Sequence, residues 1–196
     1  MRNCPFNYSG SKSEYPELHA ISVPIADMFA GGGGMWSNCA SKDIVVNDIN
    51  SELIRFQKRV YECSDLDFES LIKWMYELTE AVKTDQDKYV RLRAAFNESK
   101  NPGLFMALLC TCTNNMIRYN SSGGFNQTWG KRAFNKSTEQ KLRDFRDRIR
   151  TKNIRFVHGS YLDVPAELLA EKILFLDPPY FITSGGYNSF SYRSII

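Results

Sequence analysis

Histidine is nearly absent from this chain, and its cysteines lack the spacing that metal sites use. Two histidines (His19, His158) and five cysteines (Cys4, Cys39, Cys63, Cys110, Cys112) occur in 196 residues, with no CxxC pair. Ligand supply and spacing therefore argue against a zinc site. An odd set of thiols without a paired framework reads as reduced cysteine in a cytoplasmic setting. Long hydrophobic runs are missing as well. Stretches such as Ile173–Leu176 and Phe105–Leu109 fall far below the roughly 18 residues that a membrane-spanning helix needs. Met1–Tyr15 is polar and mixed, without the apolar core of a signal peptide. The expectation is a soluble protein with no membrane partner and no metal. Repeats and low-complexity segments are absent too. With 43% hydrophobic and 24% charged residues, the composition is that of a globular chain rather than a disordered, collagenous or coiled-coil one. Its length suits one domain with a small appended subdomain.

The net charge of +3 conceals an uneven distribution. Ten basic side chains (Lys131, Arg132, Lys136, Lys141, Arg143, Arg146, Arg148, Arg150, Lys152, Arg155) face three acidic ones (Glu139, Asp144, Asp147) within residues 131–155. The remainder of the chain carries 15 basic against 19 acidic residues. Such a segment meets the electrostatic requirement for phosphate binding. It equally suits a solvated helix face, since Asp144 and Arg148 form an i, i+4 pair.

Along the chain, residues 20–29 read as a buried strand running into Gly31–Gly34, with Met35 to Ala40 as a helix start. Ile44-Val45-Val46 forms a second strand ending in Asn47-Asp48-Ile49-Asn50. Helical periodicity follows at 51–62, 67–82 and 85–98, then over Gly103–Asn115. Ser121-Ser122-Gly123-Gly124 between polar and aromatic arms predicts a hairpin or exposed loop over 118–132. A basic helix is expected at 138–150, and strands at Ile154–His158 and Ile173–Leu176, the last leading into Asp177-Pro178-Pro179-Tyr180. The expected division is 1–50 for one part of the sheet, 51–153 for a helical and hairpin region, and 154–196 for the remaining core strands.

A strand, a glycine turn and an acid closing the next strand form the geometry that binds the sugar of a nucleoside cofactor at the carboxyl edge of a parallel sheet. Asp48 stands about 20 residues past the first strand, placed to accept two ribose hydroxyls. The consecutive glycines match a dinucleotide fingerprint only loosely, and a small ligand such as S-adenosylmethionine suits them better than NAD. Asp177-Pro178-Pro179-Tyr180 is the stronger signal. A diproline turn fixes the backbone, so a carboxylate, the Pro178 carbonyl and an aromatic ring meet at one strand end. That trio suits an exocyclic amine: two acceptors for its hydrogens, and a ring to stack on a base drawn out of the helix. Catalysis would then be mainly positioning.

With these motifs in order, the chain resembles the DNA adenine-N6 methyltransferases of the Dam family (the D12 class), the phage-encoded members in particular. The likeness spans nearly the whole sequence. Phe6-Asn7-Tyr8-Ser9-Gly10-Ser11-Lys12 is similar to the N-terminal cofactor motif, with Tyr8 and Lys12 in its aromatic and lysine positions. Asp27–Gly34 is similar to the FxGxG motif, placing Phe29, Gly31 and Gly32 beside the cofactor, and Asn47-Asp48-Ile49 to the ribose-binding acid. The resemblance sets Tyr161 against the cofactor adenine and makes Asp177, Pro178, Pro179 and Tyr180 the catalytic DPPY. It implies S-adenosylmethionine as cofactor, duplex DNA as partner, adenine N6 as acceptor and GATC as site. The segment from Asn114 to Arg132 is similar to the family's recognition hairpin, which implies DNA contacts from Asn114, Met116, Arg118, Asn120, Trp129, Lys131 and Arg132. Arginine's fork matches guanine O6 and N7, and Lys131 with the basic helix suits phosphate. Thr128 stands where proline is usual and Thr113 where an aromatic often wedges into the duplex; Trp129 offers a substitute wedge.

The fold implied is α/β, a Rossmann-like methyltransferase sheet with a helical and hairpin recognition insertion. Such a sheet has about seven strands, whereas four are legible here. The expectation is an α/β sheet truncated at its C-terminal side, leaving an apolar edge for self-association, a second chain or the C-terminal segment to cover. The implied setting is the cytoplasm of a bacterium or a phage-infected cell, with restriction protection or host regulation as the role. Alternatives are an inactive cofactor- or DNA-binding module, and a methyltransferase acting on RNA or another amine.

Overall fold

The computed structural model describes residues 4–6, 8 and 12–178. In chain order its regular elements are α1 (Pro16–His19), β1 (Ile25–Asp27), β2 (Asp43–Asp48), α2 (Ser51–Glu62), α3 (Asp65–Lys83), α4 (Gln86–Ser99), α5 (Pro102–Thr111), α6 (Lys136–Arg150), β3 (Asn153–His158), α7 (Ala166–Leu169) and β4 (Ile173–Phe175), with short 3-10 turns at Thr113–Asn115 and Tyr161–Asp163. The four strands form one sheet in the order β3-β2-β1-β4, and every pairing is parallel. This is a Rossmann-like α/β sheet, as expected. Within it, Ile25, Ala26, Ile44, Val45 and Val46 are buried, which accounts for their unbroken apolar runs.

Two compact units are present. One ends at Glu62 and resumes over Gln140–Pro178, and the other is Cys63–Glu139. The dividing points therefore differ from the expected 51–153: α2 and most of α6 go with the sheet. Their burial explains why. Phe56 and Val60 of α2 and Leu142, Phe145 and Ile149 of α6 are buried, α2 packs on β2 and β3, and Trp36 meets the ring of Phe145 edge-on at 5.6 Å. In the second unit α3, α4 and α5 pack together, burying Phe68, Met75, Tyr89, Phe96 and Phe105. Side-chain caps open these helices: Ser64 accepts from Asp67 N–H, Asp85 from Lys88 N–H, and Asn101 from Gly103 and Leu104 N–H. Each satisfies donors that a helix start leaves free.

Several elements differ from the sequence expectation. β1 is confined to Ile25–Asp27 because Pro24, which has no N–H, supplies only its carbonyl, accepting from Ile173 N–H. Residues 31–40 form successive turns rather than a helix start. Gly31 and Gly33 have φ of 48° and 83°, and the Asn38 side chain donates to Gly34 O while the Cys39 thiol donates to Trp36 O, so local bonds replace a helical ladder. α5 stops at Thr111, short of the expected Asn115. Over 118–132 the hairpin is irregular, held by antiparallel bridges Cys112↔Trp129 and Tyr119↔Phe125. Among the described residues β4 is an outer strand of the sheet, and Ile173, Leu174 and Leu176 are exposed. Among the described residues no helix is long and apolar enough to cross a membrane.

Candidate active site

All four strands run the same way, so their carboxyl ends share one edge of the sheet, where open α/β sheets bind ligands. Asp27 closes β1, Asp48 closes β2 and His158 closes β3, with Asp48 and His158 in register. Asp177 lies two residues beyond β4. Asp48 is pinned by two backbone donors, Gly31 N–H to Oδ2 at 2.7 Å and Asn50 N–H to Oδ1 at 2.8 Å. A carboxylate offers about four lone-pair positions, so each oxygen keeps capacity for a hydroxyl. Burial pushes the Asp48 carboxyl above its ordinary value, opposed by these N–H groups and by His158.

The glycine loop carries a ring directly on its backbone. A Cβ at Gly32 would stand 2.6 Å from Tyr8 Cβ, and one at Gly31 would stand 2.8 Å from Tyr8 Cε1. Only glycine permits that approach. The loop is tied down from behind, by the Gln57 amide donating to Gly31 O at 2.7 Å and Asn47 Nδ2 to Met28 O at 3.0 Å. Phe29 and Tyr161, both half-buried, set their rings 5.2 Å apart. Lys12 Nζ lies 2.6 Å from Asp177 Oδ2. Tyr8, Lys12, Phe29, Gly31, Gly32, Asp48, Tyr161 and Asp177 thus belong to one compact unit. Pro178 is exposed; Pro179 and Tyr180 lie outside the described residues. A pinned carboxylate with spare lone pairs, half-buried aromatic rings and an excess of carboxyls over cations fit a ribose-bearing, cationic ligand such as S-adenosylmethionine.

The residues expected to meet DNA all fall between α5 and α6. Asn114, Arg118, Asn120, Lys131 and Arg132 are exposed and Met116 is half-buried. Asn114, Asn115 and Lys131 have φ of 57°, 55° and 55°, left-handed values that mark a constrained loop. Asn120 caps the turn, its Oδ1 accepting from Ser122 and Gly124 N–H. Trp129 is anchored: its indole N–H donates to Val82 O at 3.1 Å, and the Lys131 ammonium sits 5.4 Å from its ring centre. The basic stretch is not one solvated face, because Arg146 and Lys152 are buried, and Lys152 Nζ donates to Cys39 O and Ser41 O. Among the described residues no cluster of three or more His, Cys, Asp or Glu could hold a metal.

Two residues escape a sequence reading as site members. Asp27 is buried at the base of the carboxyl edge; the signal is an acid closing an otherwise apolar strand. Asn115 holds Arg132, its Oδ1 accepting from Nη1 at 3.0 Å while its amide donates to Leu109 O; nothing in the local pattern marks it.

The family model of the D12 class N6 adenine-specific DNA methyltransferases matches residues 12–196. Among curated proteins, the chain is 26% identical over 195 residues to the type II methyltransferase M.FokI of Planomicrobium okeanokoites, covering 94% of this chain and 30% of that protein. It is 29% identical to the DNA adenine methylase of Serratia marcescens over 95% of this chain and 70% of that protein. Against the DNA N-6-adenine-methyltransferase of Escherichia phage P1 the identity is 29%, over 89% and 24%. The chain thus spans about 30% of the length of M.FokI and 29% of the modification methylase StsI of Streptococcus sanguinis.

Proposed function

The chain belongs to the D12 class of N6 adenine-specific DNA methyltransferases, and we propose that it moves the methyl group of S-adenosylmethionine onto N6 of adenine in duplex DNA, with GATC as its site. Members of this family use S-adenosylmethionine as methyl donor. The observation that carries the reading is the convergence of Asp48, Asp177 and Lys12 with the Phe29–Tyr161 ring pair at one edge of a parallel sheet.

When bound, the donor supplies an electrophilic methyl group on a positively charged sulfur. Asp48 holds the ribose hydroxyls, Tyr8 and the Gly31–Gly32 backbone line the methionine side, and Phe29 and Tyr161 offer their faces to the adenine end. Lys12 neutralises the donor's carboxylate end. The target base leaves the helix. Asp177 and the Pro178 carbonyl would accept hydrogen bonds from its two N6 hydrogens and aim the nitrogen lone pair; after transfer the methylated nitrogen gives up one of those protons to solvent, and Pro179 and Tyr180 would serve as the motif's turn residue and stacking ring. Lys12 at 2.6 Å from Asp177 also occupies one of the oxygens the amine needs, so the lysine shifts before the amine is seated.

In this reading the sheet unit binds the donor and Cys63–Glu139 reads DNA. Arg118 suits guanine O6 and N7, Arg132 and Asn114 suit further contacts to the duplex, and Met116 and Asn120 shape the loop. Lys131 and the outer cations of α6 hold phosphate. The exposed apolar residues of β4 suit a further strand, from a second copy or another chain. The setting is the cytoplasm of a bacterium or phage-infected cell. A catalytically inactive module is not favoured, because the family match runs through Asp177–Tyr180 to residue 196.

The test is label transfer from methyl-tritiated S-adenosylmethionine to unmethylated duplexes with and without GATC. GATC-dependent label in DNA is expected. Asp177→Ala should abolish transfer while leaving donor affinity within about threefold, or roughly 0.7 kcal/mol; undiminished turnover would remove Asp177 from the catalytic set.

A further inference from the structure

The register of β1 sets three carboxyl groups in two tiers. Asp27 pairs with Val46 on one side and with Phe175 on the other. Two residues farther along each neighbour stand Asp48 and Asp177, roughly 7 Å nearer the mouth of the edge by the rise of a strand. Two residues beyond Asp27 itself stands Phe29. Asp27 therefore forms the floor of a cluster whose upper tier carries Asp48 and Asp177, while the Phe29 ring packs toward Ala26 and Val45.

Its surroundings do not favour a charge. Asp27 is 1% exposed and pairs with buried Val46 of β2 and with Phe175 of β4. Phe29 N–H donates to its Oδ1 at 3.3 Å. The charged and titratable groups facing it are Asp48 from β2, Asp177 beyond β4, Lys12 from the N-terminal segment and the Cys39 thiol from the glycine turns. Lys12 is already matched by Asp177. Burial above all, then the repulsion of Asp48 and Asp177, pushes the Asp27 carboxyl up to about 8, with Phe29 N–H and Lys12 pulling the other way.

Resting on the methyl-donor reading above, we propose that Asp27 is a proton-exchanging floor of the donor pocket: neutral without the donor, it releases its proton when a sulfonium enters, and so distinguishes donor from product. The donor carries a sulfonium and an ammonium against one carboxylate, so it brings a net positive charge to this cluster, where Lys12 pairs with Asp177 in the donor's absence. Ionised Asp27 then gains an opposite charge, which favours its charged form. On methyl transfer the carbon leaves without the carbon–sulfur electron pair, which stays on sulfur and makes it neutral. Asp27 takes a proton back from solvent, and the product loses part of the attraction that held the donor.

The experiment is calorimetric titration of the full chain with S-adenosylmethionine, and separately with S-adenosylhomocysteine, in two buffers of different ionisation heat at about pH 7. Release approaching one proton per donor bound is expected, and distinctly less for the product. Donor affinity should tighten by up to about tenfold per pH unit toward pH 8 and then level. Because the ligand's own ammonium titrates in both proteins, the difference between wild type and Asp27→Asn isolates the carboxyl. In that variant the carboxyl's share of the release should vanish and the donor-over-product preference fall about tenfold. Donor binding with the same proton release in wild type and Asp27→Asn, or with none in either, overturns the assignment while leaving the donor pocket standing. Failure of the wild type to bind the donor at all overturns both.

Discussion

At the scale of single residues, the carboxyl edge is built from side chains whose positions conflict with stability. Asp27 ionises above about 3.8 in the unfolded chain and holds its proton to about 8 when folded. The folded state is therefore favoured by this group at low pH and loses that advantage as pH rises from 4 to 8. Asp27→Asn removes the penalty, so its melting temperature should exceed that of the wild type by a margin that widens from about pH 5 to pH 8; equal melting across that range would mean that Asp27 ionises normally. Gly32→Ala tests the opposite kind of contact. Its Cβ would lie 2.6 Å from Tyr8 Cβ, so the ring must leave the loop, and donor affinity should fall about tenfold, or 1.4 kcal/mol. Unchanged affinity in a titration would detach Tyr8 from the pocket. These two residues also show what a sequence discloses. Gly31 and Gly32 are legible because a glycine run has few uses, whereas the role of Asp27 depends on which strands flank β1, information held about 20 and 150 positions away.

At the scale of elements, the helices and the apolar strands follow from periodicity and run length, and the departures have local causes. Pro24 trims β1, and side-chain bonds from Asn38 and Cys39 hold the following turns out of a helix. α6 is the instructive case. Its charge pattern reads as a phosphate-binding face or a solvated one, yet Leu142, Phe145, Arg146 and Ile149 form its buried stripe. A 3.6-residue period places Arg146 between Leu142 and Ile149, and the guanidinium is carried in with them. Neutralising exposed Lys136 and Arg150 should leave melting unchanged and shallow the salt dependence of DNA binding by about one unit for each phosphate no longer neutralised. Arg146→Gln should instead lower the melting temperature, since a buried charged group is removed from its partners. A salt slope unaltered by the surface pair would make the outer face of α6 a solvated one.

At the scale of the whole molecule, the two outer strands of the sheet among the described residues differ. β3 is six residues long and β4 only three, with Ile173, Leu174 and Leu176 exposed at 56%, 47% and 56%. Exposed apolar edge strands invite pairing. Sedimentation of the wild type should show concentration-dependent association that Leu174→Lys reduces; a monomer at every concentration would show that this edge pairs with nothing in solution. The sheet order β3-β2-β1-β4 also has a consequence for a nascent chain. β1 leaves the ribosome first and can meet β2 almost at once, but its other flank waits for Ile173 to pair with Ile25. At roughly 5–20 residues per second, that flank stays open for on the order of ten seconds, through the making of every helix from α2 to α7. The carboxyl edge gains β4 and Asp177 only when residues 173–177 emerge, so a ribosome-bound intermediate can carry a folded helical unit long before that edge is complete.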